Sequence, residues 1–377
     1  MREEKKRSSN IELLRIVAML AIIAHHYVVN STVCRLFDGA VPTFNSCFLQ
    51  LWGMWGKTAI NVFVLISGYF MCTGNLLLRR YLKLFMQVLF YSWVMWIVLC
   101  LFGYEKWDFV LTVKRFVCYD VFAYPNGGFV PAFLWMYLLI PFMNRFISCV
   151  RSKDLYVFVL LSVMMFTGTS MLSLGNGYHH VFWYVTLYFL GAIIRLYPFR
   201  WMCSNKICLP ILILAIIGAW MSVMTITFGA YFFNKPSLIN FSYYFVSDSH
   251  KFFALLVSLF IFLVFKNWRL GYVKWINTIS ATCFGVLLIH AASDGMRRWL
   301  WQDFVNVPNA YNFSATSLAG YSIIVMFGVF IICSCLDFLR IRFCEKYYLD
   351  VGERIVFKVY YLFKRIFHAI FFKAKSS

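Results

Sequence analysis

Four ionisable side chains, Glu12, Arg15, His25 and His26, lie within one apolar segment near the start of the chain. On a helix of about 3.6 residues per turn, the step from Arg15 to His26 is close to three full turns, and Glu12 precedes Arg15 by one turn. Glu12, Arg15 and His26 are therefore predicted to share one face, where the Glu12 carboxylate can pair with the Arg15 guanidinium. An imidazole can remove a proton or form a covalent intermediate, and a guanidinium can bind an anion.

The length of this polar face indicates the size of ligand that it could bind. At a rise of about 1.5 Å per residue, Arg15 and His26 are roughly 16 Å apart, which suits the two ends of a long ligand. An ionisable group at the centre of a membrane helix costs about 3 kcal/mol, so several in one helix indicate a function. A structural alternative is that Glu12 and Arg15 reach one headgroup layer while the histidines mark the other. His25, which lies off the shared face, fits this alternative better than His26 does.

The elements that must position these residues are membrane helices. The chain has 377 residues, of which 62% are hydrophobic and only 13% charged, and its mean hydropathy is +0.74. Such a composition lies far from that of soluble domains and predicts an all-α, polytopic membrane protein with about ten transmembrane helices in one bundle. The predicted helices cover residues 11–30, 48–71, 79–102, 129–147, 155–174, 180–197, 207–228, 252–265, 276–292 and 317–339.

The basic residues predict the orientation of this bundle. Of the 35 lysines and arginines, 25 fall on the side of the two termini when ten helices are assumed. Each predicted loop on that side carries three, as the positive-inside rule requires, so both termini are predicted to be cytoplasmic. The formal charge of +20 is then explained by topology and by contact with the lipid bilayer, and nucleic acid is excluded as a partner.

The chain is predicted to have two parts: a transmembrane domain at 1–339 and a basic amphipathic cytoplasmic tail at 340–377. In the tail, aromatic and aliphatic residues alternate with lysines and arginines, a pattern typical of a helix on an anionic membrane surface. The twelve cysteines are scattered and lack zinc-site spacing with histidine, so no metal is predicted.

Four short motifs follow one another along the chain. They are IELLR at 11–15 with His26, FVLISGY at 63–69, LWMYLLIP at 134–141 and SATCFGVLLIH at 280–290. In this order they resemble elements of the acyltransferase-3 family of integral membrane acyltransferases, and together they cover nearly all of the predicted helices. One departure is that an Arg-x-x-Arg element of the family appears here as Arg80-Tyr81-Leu82-Lys83, and lysine cannot form the planar bidentate contacts of arginine.

The resemblance implies an enzyme that transfers acetyl from cytoplasmic acetyl-CoA to a sugar hydroxyl of an extracytoplasmic or lipid-linked glycan, in a bacterial cytoplasmic membrane. His26, Arg15 and Glu12 would form the catalytic set. Arg79, Arg80 and Lys83, with Ser67, are assigned to the donor side because cations bind the phosphates of coenzyme A, although Ser67 beside Gly68 equally suits close helix packing. His290, Trp135 and Asp294 are assigned to the acceptor side. The alternative is a transporter or flippase that moves a glycan without forming a bond.

Overall fold

The computed structural model describes residues 8–37, 41–74, 78–124, 127–172 and 178–372. Helices dominate this part of the chain, and no β-strand occurs among the described residues, which confirms the all-α prediction. The helices are α1 (Ser9–Val29), α2 (Phe44–Gly53), α3 (Gly56–Met71), α4 (Leu78–Leu101), α5 (Phe109–Phe116), α6 (Tyr119–Ala123), α7 (Phe129–Cys149), α8 (Ser152–Val163), α9 (Thr169–Met171), α10 (His180–Leu196), α11 (Asn205–Phe232), α12 (Phe252–Asn267), α13 (Lys274–Ser280), α14 (Cys283–His290), α15 (Asp294–Arg298), α16 (Val307–Ala310), α17 (Ala315–Phe343) and α18 (Glu345–Phe372).

Six helical segments are long and apolar enough to cross a membrane: Ser9–Val29, Leu78–Leu101, Phe129–Cys149, Ser152–Met171, Asn205–Phe232 and Ala315–Phe343. A bent pair, Lys274–His290 with Asp294–Ala310, would make a seventh. Two shorter apolar helices, α10 and α12, accompany them. The chain is therefore a multi-pass membrane protein. The larger count of about ten helices and the cytoplasmic location of both termini stay predictions.

Two of the predicted helices are interrupted close to residues that contact the polar side chains of α1. The helix predicted at 48–71 consists of α2 and α3, which are separated at Met54 and Trp55. The helix predicted at 276–292 consists of α13 and α14, which are separated at Ala281 and Thr282. Apolar runs show no such breaks, because hydropathy reports burial and not backbone continuity.

At the centre of the bundle, α3 packs against α1, α10 and α12. A close approach occurs at Gly68 of α3, where an added Cβ would lie 2.3 Å from the carbonyl oxygen of Tyr188 on α10. Small residues at such crossings let the backbones of two membrane helices touch. The neighbouring Ser67 hydroxyl donates to the carbonyl oxygen of Phe63, at 3.0 Å, a bond within its own helix. This geometry supports the packing interpretation of the Ser67-Gly68 pair.

The chain after α17 forms one long helix, α18, that packs along α4. Although the tail is basic overall, the first turns of α18 carry the acidic residues Glu345, Asp350 and Glu353. These carboxylates face cations of α4: Glu345 lies 2.6 Å from Lys83, and Glu353 lies 3.4 Å from Arg79. The boundary predicted at 339/340 stays a prediction, and α17 runs past it to Phe343.

Candidate active site

The polar residues of α1 form two groups, one at each end of the helix. At its beginning, Glu12 is buried with 5% exposure and lies 3.3 Å from Arg15. The hydroxyl of Ser280, at the end of α13, donates a hydrogen bond to the same Glu12 carboxylate. The ion pair expected from the spacing of Glu12 and Arg15 is therefore present, and Ser280 supplies a further bond that helps to offset the cost of burying the carboxylate.

At the other end of α1, His26 pairs with His290 of α14. Nδ1 of His26 lies 2.9 Å from Nε2 of His290, and Nδ1 of His290 lies 2.6 Å from the carbonyl oxygen of Val286. A carbonyl oxygen can only accept, so Nδ1 of His290 carries a proton. His290 is fully buried and pairs with no described carboxylate, so its ring is neutral and its Nε2 accepts.

The direction of this hydrogen bond fixes the chemistry of His26. Because His290 Nε2 accepts, His26 Nδ1 must donate, and the neutral His26 ring keeps its lone pair on Nε2. No hydrogen bond from the described residues occupies that nitrogen. His290 thus holds His26 in the tautomer and orientation of a base or nucleophile, as the third member of a catalytic triad does.

A cavity of about 380 Å³ adjoins the histidine pair. It meets α1 at Ile22, His25 and His26, and its remaining walls come from α3, α4, α7, α14, the segment after α14, and the region that holds α5 and α6. Arg15 is not among the lining residues, so the two ends of the polar face are not joined by this cavity.

His25 differs from His26 in its partner. Its Nδ1 donates to the carbonyl oxygen of Gly53, at 2.5 Å, beside the break between α2 and α3. The prediction that His25 leaves the face of His26 agrees with this separate partner. His25 nevertheless also lines the cavity, which the helical-face argument did not predict, because the cavity wraps around the end of α1.

The interrupted helix formed by α13 and α14 carries the hydrogen-bond partners of both polar groups on α1. Ser280 ends α13 and bonds to Glu12, while His290 ends α14 and bonds to His26. Both residues belong to the motif at 280–290, whose two ends thus meet the two ends of the first motif. The position of α14 depends on Gly285, where an added Cβ would lie 2.1 Å from the carboxylate of Asp337 on α17.

The predicted donor cluster is only partly assembled. Arg79 lies 3.9 Å from Asp350 and 3.4 Å from Glu353, and Lys83 lies 2.6 Å from Glu345, so the tail helix neutralises two of its three cations. Arg80 is exposed and has no ion pair with a described residue.

The predicted acceptor set is dispersed. His290 lies in the site, but the indole Nε1 of Trp135 donates to the carbonyl oxygen of Val121, at 2.9 Å, and Trp135 does not line the cavity. The Asp294 side chain is 97% exposed and lies 2.9 Å from Arg297. Trp96 of α4 lines the cavity instead, and nothing in its sequence neighbourhood distinguishes it from the other tryptophans.

A buried ion pair on α17 was missed by the sequence analysis. Asp337 and Arg340 are 0% and 4% exposed, and Arg340 Nε lies 2.6 Å from Asp337 Oδ1. The hydroxyl of Tyr91, a residue of the cavity wall, donates to the same carboxylate at 2.8 Å, and Arg340 also contacts Glu345 at 3.1 Å. An acid and a base one turn apart inside an apolar helix were the available signal.

No three histidine, cysteine, aspartate or glutamate side chains come together as a metal-ligand set within the described part of the chain. The candidate site consists of the paired imidazoles, the cavity beside them and the Glu12–Arg15 pair. The His26 Nε2 lone pair lies inside a multi-pass helical bundle, where it can act as a base or nucleophile toward a bound substrate. The fold and the site together indicate a membrane enzyme.

A comparison with protein families identifies the class of enzyme. The family model of the acyltransferase domain matches residues 8–337, so the chain belongs to the acyltransferase-3 family and is a membrane acyltransferase. The match ends at Asp337 and leaves α18 outside it. No curated protein matches the chain, and no solved structure does.

Loss of the His290 partner is expected to slow the reaction without weakening substrate binding. In His290→Ala, His26 loses the acceptor that fixes its tautomer, and we expect kcat to fall by at least about tenfold with little change in KM. His290→Gln retains a carbonyl acceptor and should recover part of the rate. Steady-state kinetics of the purified variants measure both constants. A rise in KM with unchanged kcat would show that His290 binds substrate and does not position His26.

Proposed function

We propose that the protein transfers the acetyl group of cytoplasmic acetyl-CoA to a hydroxyl of an extracytoplasmic or lipid-linked glycan, in the cytoplasmic membrane of a bacterium. The observation that carries the proposal is the hydrogen bond from His26 Nδ1 to His290, because it leaves the His26 Nε2 lone pair available in the cavity. The family supports acyl transfer in general. Acetyl, coenzyme A and the glycan are parts of the proposal.

The proposed reaction needs only one base. His26 Nε2 takes the proton of the acceptor hydroxyl while the hydroxyl oxygen attacks the thioester carbonyl. The resulting tetrahedral intermediate collapses by breaking the carbon–sulfur bond, and the proton on Nε2 passes to the departing thiolate. The products are the acetyl ester and coenzyme A. A two-step route through an acetyl-imidazole would use the same lone pair.

Donor binding is proposed at the Arg15 end of the polar face. The phosphates of acetyl-CoA would meet Arg15 and Arg80, which is exposed and has no ion pair with a described residue, and the pantetheine arm would span the roughly 16 Å to His26. Since the cavity does not extend to Arg15, delivery requires side chains between Arg15 and Ile22 to move, a gating step of the kind common in enzymes.

Two adjacent arginines give a matched test of donor binding. We expect Arg80→Gln to raise the KM for acetyl-CoA about tenfold with kcat unchanged, because it removes a charge-assisted phosphate contact. Arg79→Gln should change KM less than about twofold, since Asp350 and Glu353 already hold that charge. Release of free coenzyme A from purified protein measures both. The opposite order of effects would place the phosphates on the tail side of α4.

The same assay separates an enzyme from a carrier. Purified protein given acetyl-CoA and a glycan acceptor should release free coenzyme A in proportion to acetylated product. A transporter or flippase would move the glycan and leave the thioester intact. Absence of coenzyme A release from folded protein, over a panel of glycans, would contradict the proposed function.

A further inference from the structure

The cavity beside His26 has a lining with strong positive charge. Lys57, Lys114, Arg115 and Arg297 all line it, and none of the described lining side chains is acidic. A concave site lined by one sign of charge, with apolar walls of low dielectric, concentrates ligands of the opposite sign. The positive-inside rule does not explain these residues, because they lie with His26 at the end of α1 opposite to Arg15.

The acids that pair with Lys57 and Arg297 stand outside the cavity. Lys57 lies 3.6 Å from Asp248, and Arg297 lies 2.9 Å from the exposed Asp294. The Arg297 Nε is buried, and it has no hydrogen-bond partner among the described residues. A buried N–H group without an acceptor is costly, and an anion that contacts Nε from the cavity would satisfy it.

The other two cations are held by aromatic rings. Lys114 Nζ lies 5.3 Å from the ring centre of Tyr119, and the Arg115 guanidinium lies 5.9 Å from that of Trp96. A cation–π contact of this kind orients the ammonium of Lys114, whose side chain is exposed and can reach a ligand. Trp96 also lines the cavity, but it is only 3% exposed and therefore contributes part of an apolar wall.

We propose that this cavity binds an anionic sugar, so that the acceptor of the acetyl group is an acidic glycan with a carboxylate or phosphate near the reacting hydroxyl. This inference rests on the proposed function and adds the substrate class. The cations would bind the acid group, and His26 Nε2 would receive the hydroxyl proton. Two other anionic ligands could bind the same cations: the phosphates of the acetyl-CoA donor and the headgroup of an anionic lipid.

The test is ligand binding to the purified full chain in a neutral detergent, which needs no turnover and so stands apart from the test of acetyl transfer. Glucuronate and glucose 1-phosphate should bind at least about tenfold more tightly than glucose, since each adds charge-assisted bonds. Lys114→Gln and Arg297→Gln should each remove most of that difference. Arg298→Gln is the matched control, because Arg298 adjoins Arg297 but does not line the cavity.

Each ligand source has its own outcome. Unchanged coenzyme A affinity in Lys114→Gln and Arg297→Gln supports the proposal, whereas a fall confined to coenzyme A would make this the donor site and overturn it. Glycerol 1-phosphate that binds as well as glucose 1-phosphate would indicate a lipid headgroup site and also overturn it. Equal affinity for glucose and glucuronate would contradict the anionic acceptor. Lys114 is exposed on the short helix α5, so its variant remains informative if Arg297→Gln fails to fold.

Discussion

The His26→Asn variant is expected to transfer acetyl about a thousandfold more slowly than the wild-type protein, in the middle of the range for loss of a general base. Asparagine keeps an N–H near the position of Nδ1 and can still donate to His290, but it has no counterpart of the Nε2 lone pair. The fold should therefore survive while the reaction stops. Turnover of acetyl-CoA by purified, folded protein is the measurement.

His25→Asn is the matched control for this experiment. Its amide can keep the bond that Nδ1 of His25 donates to the Gly53 carbonyl oxygen, and no proton transfer is assigned to His25. We expect it to retain at least about a third of the wild-type kcat. Equal loss in the two variants would mean that the lone pair of His26 is not the reacting group.

The Asp337→Ala variant is expected to lose about 3–5 kcal/mol of stability, because it leaves the Arg340 guanidinium buried without its main partner. Tyr91 and Gln87 also donate to the Asp337 carboxylate, at 2.8 Å and 3.3 Å, and would lose their acceptor. The lower stability should appear as a large fall in the midpoint of thermal unfolding in detergent or nanodiscs.

A double variant separates the effect of the buried charge on stability from the effect of side-chain packing. In Asp337→Leu with Arg340→Met, no buried charge is left unpaired, and we expect most of the lost stability to return. An unfolding midpoint of Asp337→Ala equal to that of the wild-type protein would contradict the assignment of this pair as a buried network.

The local parts of the site were predictable from the sequence, and the long-range parts were not. Glu12 and Arg15 pair because three residues separate them on a helix, which spacing alone predicts. His26 and His290 are 264 residues apart in the chain, and their contact depends on how α14 packs against α1. That packing in turn needs Gly285 beside Asp337, a relation that hydropathy does not report.

The donor cluster shows that positive charge in the sequence does not reveal which cations are already paired. Arg79 and Lys83 were assigned with Arg80 because all three begin one helix, but carboxylates of α18 pair with the first two. The basic residues of the tail predict a membrane-surface helix, whereas the acidic residues of its first turns pair with α4. The acceptor role of Trp135 stays a prediction: its indole bonds to the carbonyl oxygen of Val121, a structural role that an indole near a membrane surface can also have.

The most direct test of the account is affinity labelling of the wild-type protein with bromoacetyl-CoA, whose reactive carbon occupies the place of the acetyl group. Nε2 of His26 should displace bromide, and peptide mass spectrometry should locate the adduct on His26. An excess of acetyl-CoA should protect that residue, and Arg80→Gln should slow the labelling. An adduct on His25 or Cys283, or labelling of His26 that acetyl-CoA does not prevent, would contradict a donor thioester delivered to the His26 imidazole.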